Sequence, residues 1–221
     1  MTKIHDITPV ISGRLGTWPG DVAFRRDVSF DFKKGDHLTL SSIQSTLHLG
    51  AHTDAPNHYV AHGRGIASVD LQRYIGPCLV LHANVGRGER VTKAHLSEKY
   101  RNAISWPAPR VLVRTGSFPD PENWNSDFCS LDPALIEEWA KAGVKLVGID
   151  TPSIDPETSQ SLDAHKTVAL YDLSILEGVV LSEIEEGLYT LIALPLKIED
   201  ADAAPVRAVL LDGPELRLGF D

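Results

Sequence analysis

Residues 48–58, which read HLGAHTDAPNH, place three of the chain's nine histidines and one aspartate close together. Imidazole nitrogens and carboxylate oxygens are ligands that zinc and similar divalent cations take in proteins, so His48, His52 and Asp54 are candidate metal ligands. A single histidine beside an apolar strand is more often an ordinary hydrogen-bonded residue. The density of this pattern favours a metal site over chance, although spacing alone leaves the function open.

The backbone must bend if these three side chains are to meet at one ion. On a helix His48 and His52 share a face, but Asp54 points away. In a straight strand all three share a face yet span about 20 Å, whereas ligand atoms lie about 2 Å from a first-row metal. Gly50 allows backbone angles closed to other residues, and Pro56 cannot donate to a strand ladder. We therefore predict a strand that ends near His48, a kink at Gly50, and a loop that returns Asp54 to His52.

Strand patterns dominate the rest of the chain. Residues 26–32 and 38–49 alternate loosely in polarity on either side of a Lys-Lys-Gly-Asp turn, which indicates a hairpin. Apolar runs of the kind that form strands buried on both faces occupy residues 78–82, 110–114, 145–149, 168–171, 188–196 and 206–211.

Helical signals are fewer. A helix is predicted from Asp132 as N-cap through Pro133 to Gly143, followed by a strand, and a second helical signal opens at Thr92. We therefore expect an α/β fold: a single domain over residues 1–221 with a mixed β-sheet, of the swivelling β/β/α type, and helices packed outside it.

Composition limits the classes of function. A hydrophobic content of 43% and a charged content of 23% are those of an ordinary globular protein. The formal net charge of −9 argues against a nucleic-acid partner, and no apolar run is long enough to cross a bilayer. The first residues lack the features of a signal peptide. Cys78 and Cys129 are too few for a disulfide framework, so we expect two buried thiols in a cytoplasmic protein.

The stretch at residues 48–58 is similar to the H-x-G-[TA]-H-x-D-x-P-x-H signature of the cyclase family of metal-dependent hydrolases. Within that family, the chain most resembles the bacterial members that hydrolyse N-formyl-L-kynurenine to L-kynurenine and formate in tryptophan breakdown. The likeness extends along nearly the whole chain, through residues 6–9, 17–21, 110–115, 148–156, 175–178 and 204–208.

The resemblance implies an arylformamidase that holds two zinc ions per subunit and acts as a homodimer. By motif position, His48, His52 and Asp54 would bind the first ion, with Asp54 shared. His165 and Glu177 would complete the pair, with Glu177 bridging. Without the resemblance, the last two residues would be interpreted as a solvated surface histidine and an exposed turn carboxylate.

Two further residues receive roles from the resemblance. His58 matches the family's proton-transfer residue, and a histidine suits that task because its ordinary pKa is near 6.5. Trp18 matches the aromatic residue that contacts the substrate. From its turn-like surroundings alone, Trp18 would as readily be a loop anchor that packs onto the core.

Two alternatives remain open at this point. One is another hydrolase of the same family that opens the ring amide of isatin or a related cyclic substrate, with manganese as a candidate metal. The other is a metal-stabilised binding or structural protein without turnover. His58 argues against the second, because a structural site is closed by its ligands and has no use for a nearby extra base.

Overall fold

The computed structural model describes residues 3–101 and 108–213. The strands are β1 Ile4–Asp6, β2 Arg25–Phe30, β3 Leu40–Gln44, β4 His52–Asp54, β5 Ile75–His82, β6 Arg90–Val91, β7 Arg110–Arg114, β8 Ser130–Leu131, β9 Leu146–Ile149, β10 Ser174–Leu176, β11 Gly187–Ile192, β12 Ala203–Pro205 and β13 Val209–Asp212. The α-helices are α1 Pro56–Tyr59, α2 Glu98–Arg101, α3 Pro133–Lys141 and α4 Asp163–Leu170. Short 3₁₀ turns cover Phe32–Lys34, Ile66–Ser68, Leu71–Tyr74 and Lys93–His95.

Seven strands form one mixed sheet in the order β1-β13-β11-β5-β7-β9-β10. The pairs from β1 to β5 are antiparallel, whereas β5, β7, β9 and β10 run parallel. This confirms the predicted mixed-sheet α/β fold. The prediction that residues 1–221 form a single domain stays a prediction.

Both faces of the central strands are buried, as their apolar sequences predict. On β5, Leu79 and Leu81 pack in a cluster with Trp139 of α3 and Val168 of α4. The alternate residues of the same strand, including Val80, pack in a second cluster on the opposite face. Successive side chains of a strand point to opposite faces, so one apolar run contributes to both layers.

Helix α3 begins where the sequence predicts. The Asp132 side chain accepts a hydrogen bond from the Ala134 backbone N–H at 2.9 Å, and Pro133 occupies the first helical turn. The helix ends at Lys141, and Gly143 has a φ of +96°. The signal at Thr92 is a 3₁₀ turn over Lys93–His95, followed by the short helix α2.

The predicted strand at residues 168–171 is wrong, because α4 covers this segment. The apolar run is short, and short runs do not distinguish a strand from the buried face of a helix. Ala164, His165 and Val168 are the buried residues of α4, and their spacing is that of one helical face.

The hairpin of β2 and β3 is confirmed, but β3 ends at Gln44 rather than near His48. The kink at Gly50 is also confirmed, with a φ of +59°. The predicted loop around Asp54 is wrong, since residues 52–54 form strand β4, which pairs antiparallel with β12. That pairing partner lies far along the chain, where no local pattern could reveal it.

Cys78 and Cys129 are buried free thiols, as expected. Within residues 3–101 and 108–213, no helix is both long and apolar enough to span a membrane.

Candidate metal centre

Two distant segments meet at a pair of glycines. Gly50 and Gly178 both have positive φ, +59° and +66°, and a Cβ on Gly178 would lie 2.1 Å from the Gly50 carbonyl oxygen. Only glycine permits so close an approach of two backbones. Immediately beside them, His52 and Glu177 exchange two backbone hydrogen bonds of 3.0 and 2.9 Å. This contact holds His52 of β4 next to Glu177, the residue that follows β10.

Asp54 lies at the centre of the histidines. Its carboxylate oxygens are 3.0 Å from His48 Nδ1, 3.5 Å from His52 Nε2 and 3.3 Å from His165 Nε2. Glu177 lies on the other side, with Oε2 3.1 Å from His52 Nε2 and Oε1 3.8 Å from His165 Nε2. The structure therefore brings together all five predicted ligands, which we call the ligand cluster.

The ring orientation of each histidine in the cluster is fixed from outside. His52 Nδ1 donates to the Gly50 carbonyl oxygen at 2.9 Å, and His165 Nδ1 lies 2.8 Å from Asp155 Oδ2. His48 Nε2 lies 3.0 Å from Asp202 Oδ2. Each partner takes one ring N–H, which directs the second ring nitrogen of that histidine toward Asp54. Metal-binding histidines are commonly held in this way.

The charges of the cluster shift the pKa values of its members. Burial alone would raise the pKa of Asp54, but the imidazoles of His165 and His48 outweigh it and hold that pKa well below its usual range. Burial lowers the pKa of the two imidazoles, yet Asp54 and Asp202 raise that of His48 to about 9. Asp155 and Asp54 raise the pKa of His165 to about 10. Ligation requires neutral imidazole, so cation binding at neutral pH would displace protons from both rings.

The donor set fits a divalent cation. Both Asp54 oxygens are buried, and neither accepts a well-formed hydrogen bond from any described residue. A buried carboxylate without such bonds is costly unless a cation compensates it. Two groups of potential ligands, each with ligand atoms within 4.8 Å of one another, share this residue: His48, Asp54 and His58, and His52, Asp54 and Glu177.

This grouping by distance differs from the one that the resemblance implies, where His48 and His52 share an ion with Asp54. The structure places His52 with Glu177 instead, and it places His58 beside His48, with ring centroids 4.2 Å apart. Which ligands share an ion therefore stays part of the proposal below.

His58 lies on the short helix α1, whose first residue is Pro56. Its side chain is 34% exposed, and its Nδ1 lies 3.7 Å from Asp202 Oδ2. Burial lowers the pKa of His58, which favours the neutral form of the ring. A neutral, partly accessible imidazole beside the ligand cluster can accept a proton and pass it on. His62, four residues further along the chain, lies outside both candidate groups.

A cavity of about 560 Å³ opens onto the cluster, and aromatic side chains form one side of it. Trp18 packs edge-on against Trp124, with ring centroids 5.5 Å apart, and against Phe128 at 6.2 Å. Phe118 packs on Trp124 at 5.6 Å. We call Trp18, Trp124 and Phe118 the aromatic wall, and Phe128 packs against it without lining the cavity. Trp18 is thus both anchored by other rings and in contact with the cavity.

Two residues of the site were missed in the sequence. Asp155 follows β9 and holds His165, and Asp202 precedes β12 and holds His48. Asp155 belongs to one of the segments that carry the resemblance, which was the available signal. Asp202 has no local signal, because the pairing of β4 with β12 alone brings it to the site.

Fold and site together define the class: a mixed-sheet α/β protein with a buried carboxylate and histidine cluster suited to a divalent cation. The family model described as "Putative cyclase" matches residues 5–156. A kynurenine formamidase of Delftia acidovorans (strain DSM 14801 / SPH-1) is 43% identical over 208 residues, covering 94% of this chain and 97% of the relative. The chain belongs to the cyclase family, which confirms the resemblance seen in the sequence.

Solved structures share the fold. The "predicted metal-dependent hydrolase from Bacillus stearothermophilus" is 26% identical, with a TM-score of 0.79, over 96% of this chain and 100% of that one. An isatin hydrolase bound to the product analogue thioisatinate has a TM-score of 0.79 over 97% of this chain and 93% of that one. Its sequence is 20% identical, so this likeness shows the fold alone.

Proposed function

We propose that this chain is a metal-dependent arylformamidase that hydrolyses N-formyl-L-kynurenine to L-kynurenine and formate. The observation that carries the reaction type is the buried Asp54 carboxylate, surrounded by three imidazoles at the end of a cavity with an aromatic wall. The substrate is supported by the 43% identity to a kynurenine formamidase over nearly the full length of both chains.

The residues proposed to hold the metal are the members of the ligand cluster, His48, His52, Asp54, His165 and Glu177. The proposal includes two zinc ions, which these five residues would hold; that Asp54 would be shared and Glu177 would bridge is what the resemblance implies. A bound divalent cation supplies Lewis acidity, which lets water ionise near neutral pH and polarises a carbonyl oxygen. The outer partners of the histidines keep the ligand atoms in place without further rearrangement.

His58 is the proposed proton-transfer residue. Hydrolysis of a formamide requires that a proton leave the attacking water and that one reach the departing aniline-type nitrogen. Burial lowers the pKa of His58 and so favours the neutral imidazole, which can take the first proton and deliver the second. Its partial exposure leaves a path to bulk water for resetting the ring.

Trp18 is the proposed contact for the benzene ring of the substrate. Its neighbours Trp124 and Phe128 hold it by edge contacts, so the ring is placed before substrate arrives. An aromatic contact of this kind contributes on the order of 1 kcal/mol.

Side-by-side assays test the reaction and the substrate. Zinc-loaded protein is given N-formyl-L-kynurenine or isatin, and formate release and ring opening are followed separately. Turnover of the formamide at least tenfold above isatin is the expected result. Preferred opening of isatin would transfer the assignment to the ring-amide hydrolases, and metal binding without turnover of either compound would favour the structural alternative.

The proposal also includes a homodimer that acts in the cytoplasm. Both parts rest on the resemblance, and the cytoplasm also on two reduced cysteines. Light scattering of the purified chain tests the dimer, which predicts about twice the 24.1 kDa chain mass.

A further inference from the structure

Arg114 lies where the sheet opens onto the candidate active site. It is the last residue of β7, a central strand whose neighbours β5 and β9 run parallel to it. Ligands of open α/β sheets bind outside the carboxyl ends of such strands. Arg114 lines the same cavity as Asp54, His58 and Trp18, and no other arginine or lysine among the described residues does.

The guanidinium of Arg114 has few partners in the protein. Within residues 3–101 and 108–213 its one hydrogen bond runs from Nη1 to the Ile184 carbonyl oxygen at 3.4 Å, which is long. No ion pair of Arg114 occurs in the part of the chain that the structure describes. An arginine carries five N–H donors, so most of these donors have no acceptor among the described residues.

Arg110, at the other end of the same strand, shows what a structural arginine looks like here. Its guanidinium is buried and donates to three backbone carbonyls, those of Gln72, Arg73 and Pro77. Arg110 therefore links β7 to the backbone of residues 72–77, whereas Arg114 leaves its donors available.

The carboxylates along the cavity do not neutralise Arg114. Asp54 and Glu177 belong to the ligand cluster. Asp150 accepts hydrogen bonds from the backbone and hydroxyl of Thr115 and from the backbone N–H of Gly116. Asp21, the fourth carboxylate along the cavity, accepts from the backbone N–H of Val22 and forms no ion pair with any described residue. A positive charge with free donors therefore remains in the cavity of a chain whose net charge is −9.

We propose that Arg114 binds a carboxylate of the substrate, so that the preferred substrates are aryl formamides with an anionic side chain. The guanidinium fork matches a carboxylate in two parallel hydrogen bonds. This inference rests on the proposed function and deepens it, because N-formyl-L-kynurenine carries an α-carboxylate whereas isatin and simple aryl formamides carry none. Arg114 is then the residue that determines specificity for the amino-acid substrate.

The test compares two substrates in two proteins. N-formyl-L-kynurenine and its neutral counterpart ortho-formamidoacetophenone are given to the zinc-loaded chain and to Arg114→Gln. For the charged substrate we expect kcat/KM to fall by about 10- to 100-fold, mainly through KM, since hydrogen bonds to charged groups are worth that much. For the neutral substrate we expect a change of less than about twofold, because its binding does not involve the lost charge.

Matched variants separate charge from structure. Arg114→Lys keeps the charge and should recover part of the lost kcat/KM for the charged substrate only. Arg26→Gln, which removes an exposed arginine bonded to Ser41, should leave both substrates unchanged. Equal losses for both substrates in Arg114→Gln, or no loss for either, would overturn the role of Arg114.

A binding experiment keeps this inference distinguishable from the proposed function. Calorimetry on zinc-loaded protein compares L-kynurenine with ortho-aminoacetophenone, which lacks the carboxylate, and requires no turnover. A preference for L-kynurenine that Arg114→Gln abolishes supports the role of Arg114 even if no formamide is hydrolysed. No preference in the unaltered chain, or no binding of either compound, overturns it.

Discussion

The ligand cluster and the aromatic wall border the same cavity but are built in opposite ways. In the cluster, each histidine has one ring nitrogen toward Asp54 and the other held by Gly50, Asp155 or Asp202. The rings of the wall and of Phe128 meet edge to face at centroid distances of 5.5 to 6.3 Å, and the indole N–H of Trp124 donates to Glu157. Hydrogen bonds and ion pairs fix the ligand atoms of the cluster, whereas the wall is positioned mainly by ring packing, with one hydrogen bond from Trp124. Substitutions in the cluster should therefore abolish function, whereas substitutions in the wall should only reduce it.

The largest effect is expected at Asp54. Asp54→Asn keeps the side-chain shape but removes the charge that all three imidazoles face. Metal content and formate release should both fall by more than the roughly 100-fold that loss of an outer partner costs. Elemental analysis and a formate assay measure these on one sample. Asp127→Asn, at an exposed carboxylate paired with Arg87, is the control. Retained metal and activity in Asp54→Asn would remove the distinction between cluster and wall.

Substitution of His58 should separate the loss of turnover from the loss of metal binding. His58→Gln is expected to keep its metal and to lose about 10²- to 10⁴-fold in kcat, the usual contribution of a proton-transfer group. Since His58 also lies within ligand distance of His48 and Asp54, loss of metal in this variant would instead make it a ligand. His62→Gln, which changes a nearby exposed histidine, should behave as the unaltered chain does.

A substitution at Asp155 tests whether the residues that hold the second ring nitrogen of each histidine contribute to metal affinity. Asp155 is buried, lies 2.8 Å from His165 Nδ1 and also accepts from Arg90. Asp155→Asn should weaken metal affinity by about 10- to 100-fold, because the ring of His165 is no longer held in one tautomer. Competition with a chromophoric chelator measures the affinity. An unchanged affinity would show that the ligand atoms are fixed by packing, as in the wall.

The smallest effect is expected in the wall itself. Trp18→Leu should raise KM for N-formyl-L-kynurenine about fivefold, the equivalent of about 1 kcal/mol, with little change in kcat. Trp18→Phe retains an aromatic ring and should recover most of the loss. A collapse of kcat in Trp18→Leu would mean that the wall positions the reacting groups and is more than a binding surface.

Local sequence information predicted the elements that local forces form. Helix α3 has its N-cap and proline in the sequence, and Gly50 marks the kink because few other residues adopt a positive φ. The apolar runs gave β5, β7 and β9, since strands buried on both faces must be apolar throughout.

Long-range pairing produced the features that the sequence did not reveal. Strand β4 exists because residues 203–205 pair with it, and the same pairing brings Asp202 to His48. The end of helix α4 was predicted as a strand because a short apolar run is compatible with both the helical and the strand periodicity. His165 and Glu177 looked like surface residues in isolation, yet they are 3% and 2% exposed. Their burial depends on contacts between segments more than a hundred residues apart.

Metal dependence of formate release tests the proposed chemistry most directly. Chelator-treated chain is given N-formyl-L-kynurenine before and after stepwise addition of zinc, with bound metal and released formate measured in the same samples. We expect no release above background without metal, and recovery that follows zinc up to two ions per chain. Full release of formate by metal-free protein would contradict the role assigned to the ligand cluster.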